Sequence, residues 1–135
     1  MVLVDTSVWI RFFMRREPWV FELDALLAAS LVAGHDLVYG EILAGDSGGR
    51  ARFLANYDLI RRLPTIPHHE VAAFVRSRRL QGRGAGWIDI HLLASAIAGN
   101  VKFWTADNAA TALADELGIL YKSPNAKPGP YLLPK

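Results

Sequence analysis

The first seven residues place a buried strand directly against the start of a helix, and this junction limits the possible folds more than any other segment. Val2-Leu3-Val4 is a short apolar run rich in β-branched residues, typical of a strand covered on both faces. Asp5-Thr6-Ser7 follows at once, and these side chains favour a helix N-terminus. A strand that runs directly into a helix predicts a parallel sheet flanked by helices.

The same alternation of strands and helices continues along the chain. Helices are predicted over residues 8–16, 21–31, 39–44, 51–63, 71–80, 87–98 and 106–117, and further strands over 36–38, 64–67, 101–105 and 119–121. The 64–67 strand is placed at an edge of the sheet, because Pro64 and Pro67 lack backbone donors. We predict one α/β domain over residues 1–122, followed by a proline-rich tail over residues 123–135.

Composition excludes several classes of protein. The chain is 52% hydrophobic and 21% charged, which excludes a disordered protein. It has no cysteine, which excludes disulfides, a cysteine zinc site and a thiol nucleophile. No apolar run reaches the ~18 residues of a membrane span, and the first residues lack the basic region of a secretory signal. A cytoplasmic location is therefore expected.

Four carboxylates fall at predicted helix starts, and three of these helices follow predicted strands, whose carboxyl ends form the sheet edge where parallel α/β folds bind ligands. They are Asp5, Glu41, Asp89 and Asp107. Helix capping and the helix dipole explain any one of them alone, since each such acid contributes about 0.3–1 kcal/mol. Asp5 and Asp89 both have apolar neighbours in the sequence, which argues against freely solvated carboxylates at these two positions.

A cluster of these carboxylates needs a counter-charge. Two carboxylates ~4 Å apart repel by about 4 kcal/mol at an effective dielectric near 20. Because the chain has no cysteine and no histidine is placed with these acids, hard oxygen ligands indicate Mg²⁺ or Mn²⁺ rather than zinc.

Four short segments carry a family resemblance. They are Val4-Asp5-Thr6-Ser7, Tyr39-Gly40-Glu41-Ile42-Leu43-Ala44-Gly45, Trp87-Ile88-Asp89 with Leu92, Ala94 and Ala96, and Trp104-Thr105-Ala106-Asp107. Each segment alone is a weak signal of a family, but the four segments in this order and at this spacing form a specific one. Together they resemble the PIN domain, and in particular the VapC-type toxin ribonucleases of toxin–antitoxin pairs. The resemblance spans about residues 1–121.

The resemblance implies a parallel sheet of about five strands in the order 3-2-1-4-5, flanked by helices. It implies that the four acids are the catalytic quartet, that Asp5, Asp89 and Asp107 face the metal, and that Glu41 is an outer ligand or orients the nucleophile. It also implies a supporting role for the residues that orient the acids, which are Thr6, Ser7 and Thr105. Asn108 stands where many relatives carry another acid, which leaves the number of metal ions open.

For chemistry and partners, the resemblance implies a Mg²⁺- or Mn²⁺-dependent endoribonuclease that leaves 5′-phosphate and 3′-hydroxyl ends. It further implies a cognate antitoxin and a homodimer. In such proteins an antitoxin segment lies in an aromatic groove, and the sequence offers five aromatic residues for core or groove: Trp9, Phe12, Phe13, Phe53 and Tyr57.

A basic segment lies within an otherwise mildly acidic chain. Residues 61–83 hold six arginines against one acid, Glu70. Four of the arginines are candidates to contact RNA phosphates: Arg76, Arg78, Arg79 and Arg83. The alternative is a solvated helix face.

Two other functions are compatible with parts of the pattern. A catalytically silent, PIN-like RNA-binding module would tolerate a replaced acid in the quartet, and none is replaced. A different acid-rich phosphate enzyme would need a catalytic lysine after a later strand or paired acids after the first one, whereas Thr6 and Ser7 follow Asp5. The four histidines lie outside the matching segments, and His68 and His69 are expected at the surface.

Overall fold

The computed structural model describes residues 1–124, and within them three parallel strands are flanked by seven helices. The strands are β1 (Val2–Val4), β2 (Val32–Ala33) and β3 (Lys102–Trp104). The helices are α1 (Thr6–Phe13), α2 (Trp19–Ala28), α3 (Asp36–Ala44), α4 (Ala51–Tyr57), α5 (His68–Arg78), α6 (Trp87–Ala98) and α7 (Asn108–Glu116). In this described range no helix is long and apolar enough to cross a membrane. Most of the predicted tail, residues 125–135, lies outside the described residues.

The sheet has β1 at its centre, in the order β2-β1-β3, and all of its pairs are parallel. Single bridges extend it on both sides, from Gly34 to Arg62 and from Phe103 to Leu120. The predicted α/β class and parallel sheet are confirmed. The prediction of five strands is wrong for residues 1–124, because the two outer segments pair with the sheet at one position each.

The predicted edge strand at residues 64–67 does not form. Gly34 instead pairs with the residues just before it, donating to the Arg61 carbonyl at 2.8 Å and accepting from the Leu63 amide at 2.9 Å. Pro64 and Pro67 cannot donate to a ladder, so pairing ends where the prolines begin.

The predicted strand at residues 36–38 is also wrong, because this segment is the first turn of α3. His35 is extended and its Nδ1 accepts the Leu37 amide at 3.0 Å, which caps the helix at its N-terminus. Val38 is fully buried as a helical residue facing the core. The strand on this side of the sheet is β2, a few residues earlier.

The core lies on both faces of β1, whose three residues are buried. On one side α6 contributes an unbroken buried stretch from Ile90 to Ala96, which explains its strongly apolar sequence. The Asp5 amide donates to the Trp104 carbonyl at 2.9 Å, so the carboxyl ends of β1 and β3 are held together. This edge of the sheet therefore brings the starts of α1 and α7 side by side.

Candidate active site

Asp5 lies at the centre of this edge, at the N-cap of α1 and only 4% exposed. Its Oδ1 accepts the Thr6 amide at 2.8 Å. Its Oδ2 accepts two hydroxyls, from Ser7 at 2.7 Å and from Thr105 at 2.8 Å. Among the described residues no cation forms an ion pair with this carboxylate. Three neutral donors thus fix the orientation of a buried carboxyl group that has no cationic partner within residues 1–124.

The two hydroxyls that hold Asp5 also hold the backbone that leads to Asp107. Ser7 Oγ accepts the Ala106 amide at 3.0 Å, and Thr105 Oγ1 accepts the Asp107 amide at 3.1 Å. Asp107 is exposed and caps α7, where its Oδ2 accepts the Ala110 amide at 2.8 Å. The positions of the first and last acids are therefore coupled through shared hydrogen bonds.

Glu41 reaches the same site from α3, where it is half-buried. The hydroxyl of Thr6 donates to Glu41 Oε1 at 2.7 Å. Because Thr6 is the first residue of α1, this bond ties the second acid to the helix that Asp5 caps.

Asp89 lies in the first turn of α6 and is half-buried. Burial and, in decreasing order of effect, the negative charges of Asp5, Asp107 and Glu41 together raise the pKa of its carboxyl to about 6. The backbone N–H of Gly86 opposes this rise by interacting with the carboxylate. The four acids predicted from the sequence therefore share one electrostatic environment.

The donor set suits a hard divalent cation, since it consists of carboxylate oxygens in a field of uncompensated negative charge. The acids do not form a ready-made cage: within residues 1–124 no three acids or histidines are arranged to hold one ion. Mg²⁺ usually keeps several waters and binds through one or two carboxylates, so a complete protein cage is not required.

The predicted RNA-contacting arginines fall into two groups. Arg76, Arg78 and Arg79 are exposed at the C-terminal end of α5, and no described ion pair engages them. Arg83 instead donates to both carboxylate oxygens of Glu116, at 2.5 and 3.0 Å. This pair raises the pKa of the arginine and lowers that of the glutamate.

One buried polar network near the site had no role in the sequence-based interpretation. His35 is fully buried; its backbone N–H donates to the Tyr57 hydroxyl at 2.9 Å, and its Nε2 lies 2.9 Å from Ser95 Oγ. Ser95 Oγ in turn donates to the Pro64 carbonyl at 3.0 Å. The network fixes the start of α3, the helix that carries Glu41. The sequence signal for this network was the position of His35 just before Asp36, where it can cap a helix.

His68 and His69 are exposed at the start of α5, as predicted.

The aromatic residues divide between core and groove. Trp9 and Tyr57 are 1% exposed and belong to the core. Phe12 and Phe13 are partly exposed and line a cavity of about 350 Å³ with Val20 of α2.

The sequence matches the PIN domain family over residues 2–116. Ribonuclease VapC32 from two strains of Mycobacterium tuberculosis is 36% identical over 120 residues, which covers 88% of this chain and 94% of the relative. The crystal structure of FitAcB from Neisseria gonorrhoeae has a similar fold, with a TM-score of 0.56 and 22% identity. That match covers 85% of this chain and 94% of the FitAcB chain.

Proposed function

The chain belongs to the PIN-domain family, and on that premise we propose that it is a VapC-type toxin, a metal-dependent endoribonuclease of a toxin–antitoxin pair. The main support is the convergence of four carboxylates from separate helices, since Asp5, Glu41 and Asp107 all lie close enough to Asp89 to raise its pKa. Such a cluster without a paired cation is costly unless a bound ion offsets it. The identity to a protein named as a ribonuclease supports the activity.

We assign roles to this chain's own residues. Asp5, Asp89 and Asp107 would face Mg²⁺ or Mn²⁺, with waters of the ion completing its coordination. When bound, the ion would lower the pKa of a water and offset charge on the phosphodiester. Addition of that water to phosphorus with departure of the 3′-oxygen breaks the P–O3′ bond and leaves 5′-phosphate and 3′-hydroxyl ends. Glu41 orients the attacking water or accepts its proton.

The hydroxyl residues complete this arrangement as supporting groups. Ser7 and Thr105 keep the Asp5 carboxylate oriented, as their bonds of 2.7 and 2.8 Å indicate. Thr6 does the same for Glu41.

The RNA substrate needs a counterpart for its phosphates, and we propose the exposed arginines of α5, Arg76, Arg78 and Arg79. These contacts supply affinity rather than sequence choice. Arg83 belongs to the same basic segment, but Glu116 already holds its guanidinium, so we assign it the smallest share of RNA contact.

For the protein partner, we propose that a segment of the cognate antitoxin occupies the groove lined by Phe12, Phe13 and Val20. A cationic side chain on that segment would compete with metal for the acids. We also propose a homodimer and a cytoplasmic location, where cellular RNA is accessible.

The test is cleavage of structured RNA and of DNA by the antitoxin-free chain, with Mg²⁺, Mn²⁺ or a chelator. Asp5→Asn removes a metal-facing charge, and Asp24→Asn is its matched control because Asp24 is an exposed carboxylate on α2. Metal-dependent RNA cleavage that Asp5→Asn abolishes and Asp24→Asn retains is the expected result. A folded protein that neither binds metal nor cleaves RNA would support the silent RNA-binding module instead.

A further inference from the structure

The segment of residues 79–86, which we call the α5–α6 loop, leads directly into the helix that carries Asp89. It leaves α5 through Arg79, which is in the left-handed conformation with φ of 56°. Leu80 then anchors it in the core at 5% exposure. Gly82 and Gly84 both have positive φ, so the following residues turn sharply.

Beyond Leu80, the α5–α6 loop is fastened to α7, the helix that Asp107 caps. Arg83 and Glu116, 33 positions apart, form a two-pronged ion pair with distances of 2.5 and 3.0 Å. Next to it, Gly84 lies beside the same helix, since an added Cβ would meet Ala109 Cβ at an ordinary contact distance of 3.6 Å. Arg83 thus lies against the C-terminal end of α7, and Gly84 lies near its first turn.

At its other end the loop contacts Asp89. Gly86 is the N-cap of α6 and provides no side-chain cap, but its backbone N–H interacts with the Asp89 carboxylate. A Cβ added at Gly86 would lie 3.9 Å from Asp89 Oδ2, so the end of the loop is adjacent to the acid. The loop therefore spans from α7 to the carboxylate of α6.

We propose that the Arg83–Glu116 pair is a positioning latch that sets the Asp89 carboxylate relative to Asp107 and thereby tunes the affinity of the acidic site for divalent metal. The proposal rests on the metal-dependent function proposed above. The side chains of both residues hydrogen-bond to each other and to none of the four acids of the site, so both act as positioning residues. Two-pronged arginine–carboxylate pairs fix geometry better than single contacts, and small shifts of a ligand affect a site strongly.

This role differs from direct contact with RNA. A guanidinium that contacts phosphate acts without Glu116, whereas a latch requires both partners equally. Exchanging the two charges keeps a latch but removes a cation from a phosphate track.

The experiment compares Arg83→Ala, Glu116→Ala and the exchanged pair Arg83→Glu with Glu116→Arg. Mn²⁺ affinity is measured by calorimetry, and exchange of the amides of residues 83–89 is measured by NMR in the metal-free protein. Asp115→Ala is the matched control, because Asp115 is an exposed acid in the same turn of α7 whose nearest cation, Lys122, lies 3.9 Å away.

Each single variant is expected to weaken Mn²⁺ binding by about 3–10-fold, below the usual cost of losing a group bonded directly to a metal ligand. Each should also speed exchange of the Gly86 amide, and the exchanged pair should restore both properties. Asp115→Ala should resemble the unmodified chain.

The latch is overturned if the unmodified chain binds Mn²⁺ and both single variants bind it equally well. It is also overturned if only Arg83→Ala has an effect, as a weaker affinity for RNA that the exchanged pair does not restore. Failure of the proposed function is distinct, because then the unmodified chain itself binds no Mn²⁺ and cleaves no RNA.

Discussion

The Thr105 hydroxyl donates a 2.8 Å hydrogen bond to Asp5 across 100 positions of the sequence. The same oxygen accepts the Asp107 amide at 3.1 Å. One hydroxyl group is therefore hydrogen-bonded both to the carboxylate of Asp5 and to the backbone amide of Asp107, which couples the positions of the two acids.

Replacing Thr105 with valine tests this coupling. The change keeps the shape but leaves the buried Asp5 carboxylate without one donor and the Asp107 amide without its acceptor. We expect a loss of about 1–3 kcal/mol in the free energy of unfolding, measured by denaturant titration. Mn²⁺ affinity, measured by calorimetry, should fall by about 10-fold or more.

Thr105→Ser is the matched control, since it retains the hydroxyl. It should keep most of the metal affinity. Equal metal affinity in Thr105→Val and the unmodified chain would contradict the coupling.

A second prediction concerns Thr6, whose hydroxyl donates to Glu41 at 2.7 Å. Thr6→Val frees the Glu41 carboxylate to rotate, so we expect kcat for RNA cleavage to fall by about 10-fold with little change in KM. Steady-state kinetics on a short RNA substrate gives both constants. Thr6→Ser should retain the rate, and a change confined to KM would indicate a role in RNA binding instead.

Local sequence explains why the acidic site was predictable. Strand β1 and the capping residues after it are adjacent in the chain, so the position of Asp5 follows from a few residues. The bounds of α6 are the predicted ones, 87–98, because a mostly apolar segment lies here between two glycines, Gly86 and Gly99. Its first turn then places Asp89.

Where the prediction failed, contacts distant in sequence decide the structure. Residues 36–38 carry a strand-like pattern, but the buried cap from His35, itself bonded to Tyr57, starts a helix there. The outer segments near Arg62 and Leu120 reach the sheet at one position each, which no local pattern indicates. The Arg83–Glu116 pair likewise depends on how the loop folds back on α7.

The raised pKa of Asp89 predicts how stability changes with pH in the absence of metal. The pKa of its carboxyl is about 6 in the folded chain against 3.8 in the unfolded one, so the folded state binds this proton more tightly. The resulting stabilisation of the folded state is fully present below pH 3.8 and is lost as the pH rises through about 6.

The measurement is Tm with chelator present, at several values between about pH 4 and about pH 7. The unmodified chain should lose stability across this range relative to Asp89→Asn, which carries no titrating group at this position. Because buried His35 has a lowered pKa and contributes the opposite trend in both proteins, the difference between the two curves is the relevant quantity. Parallel curves would contradict the shift.

The last prediction separates a phosphate track from a solvated helix face on α5. Each cation that neutralises a phosphate of single-stranded RNA contributes about −0.7 to the slope of log affinity against log salt. We use Asp5→Asn as the cleavage-deficient background and replace Arg76, Arg78 and Arg79 with glutamine. If all three contact phosphate, the slope becomes shallower by about 2, and affinity falls similarly for RNAs of different sequence.

A matched variant at Arg61, an exposed arginine in the same basic segment but outside the proposed set, should leave the slope unchanged. An unchanged slope in the triple variant would identify these arginines as a solvated face, and RNA would then have to reach the acids along another surface.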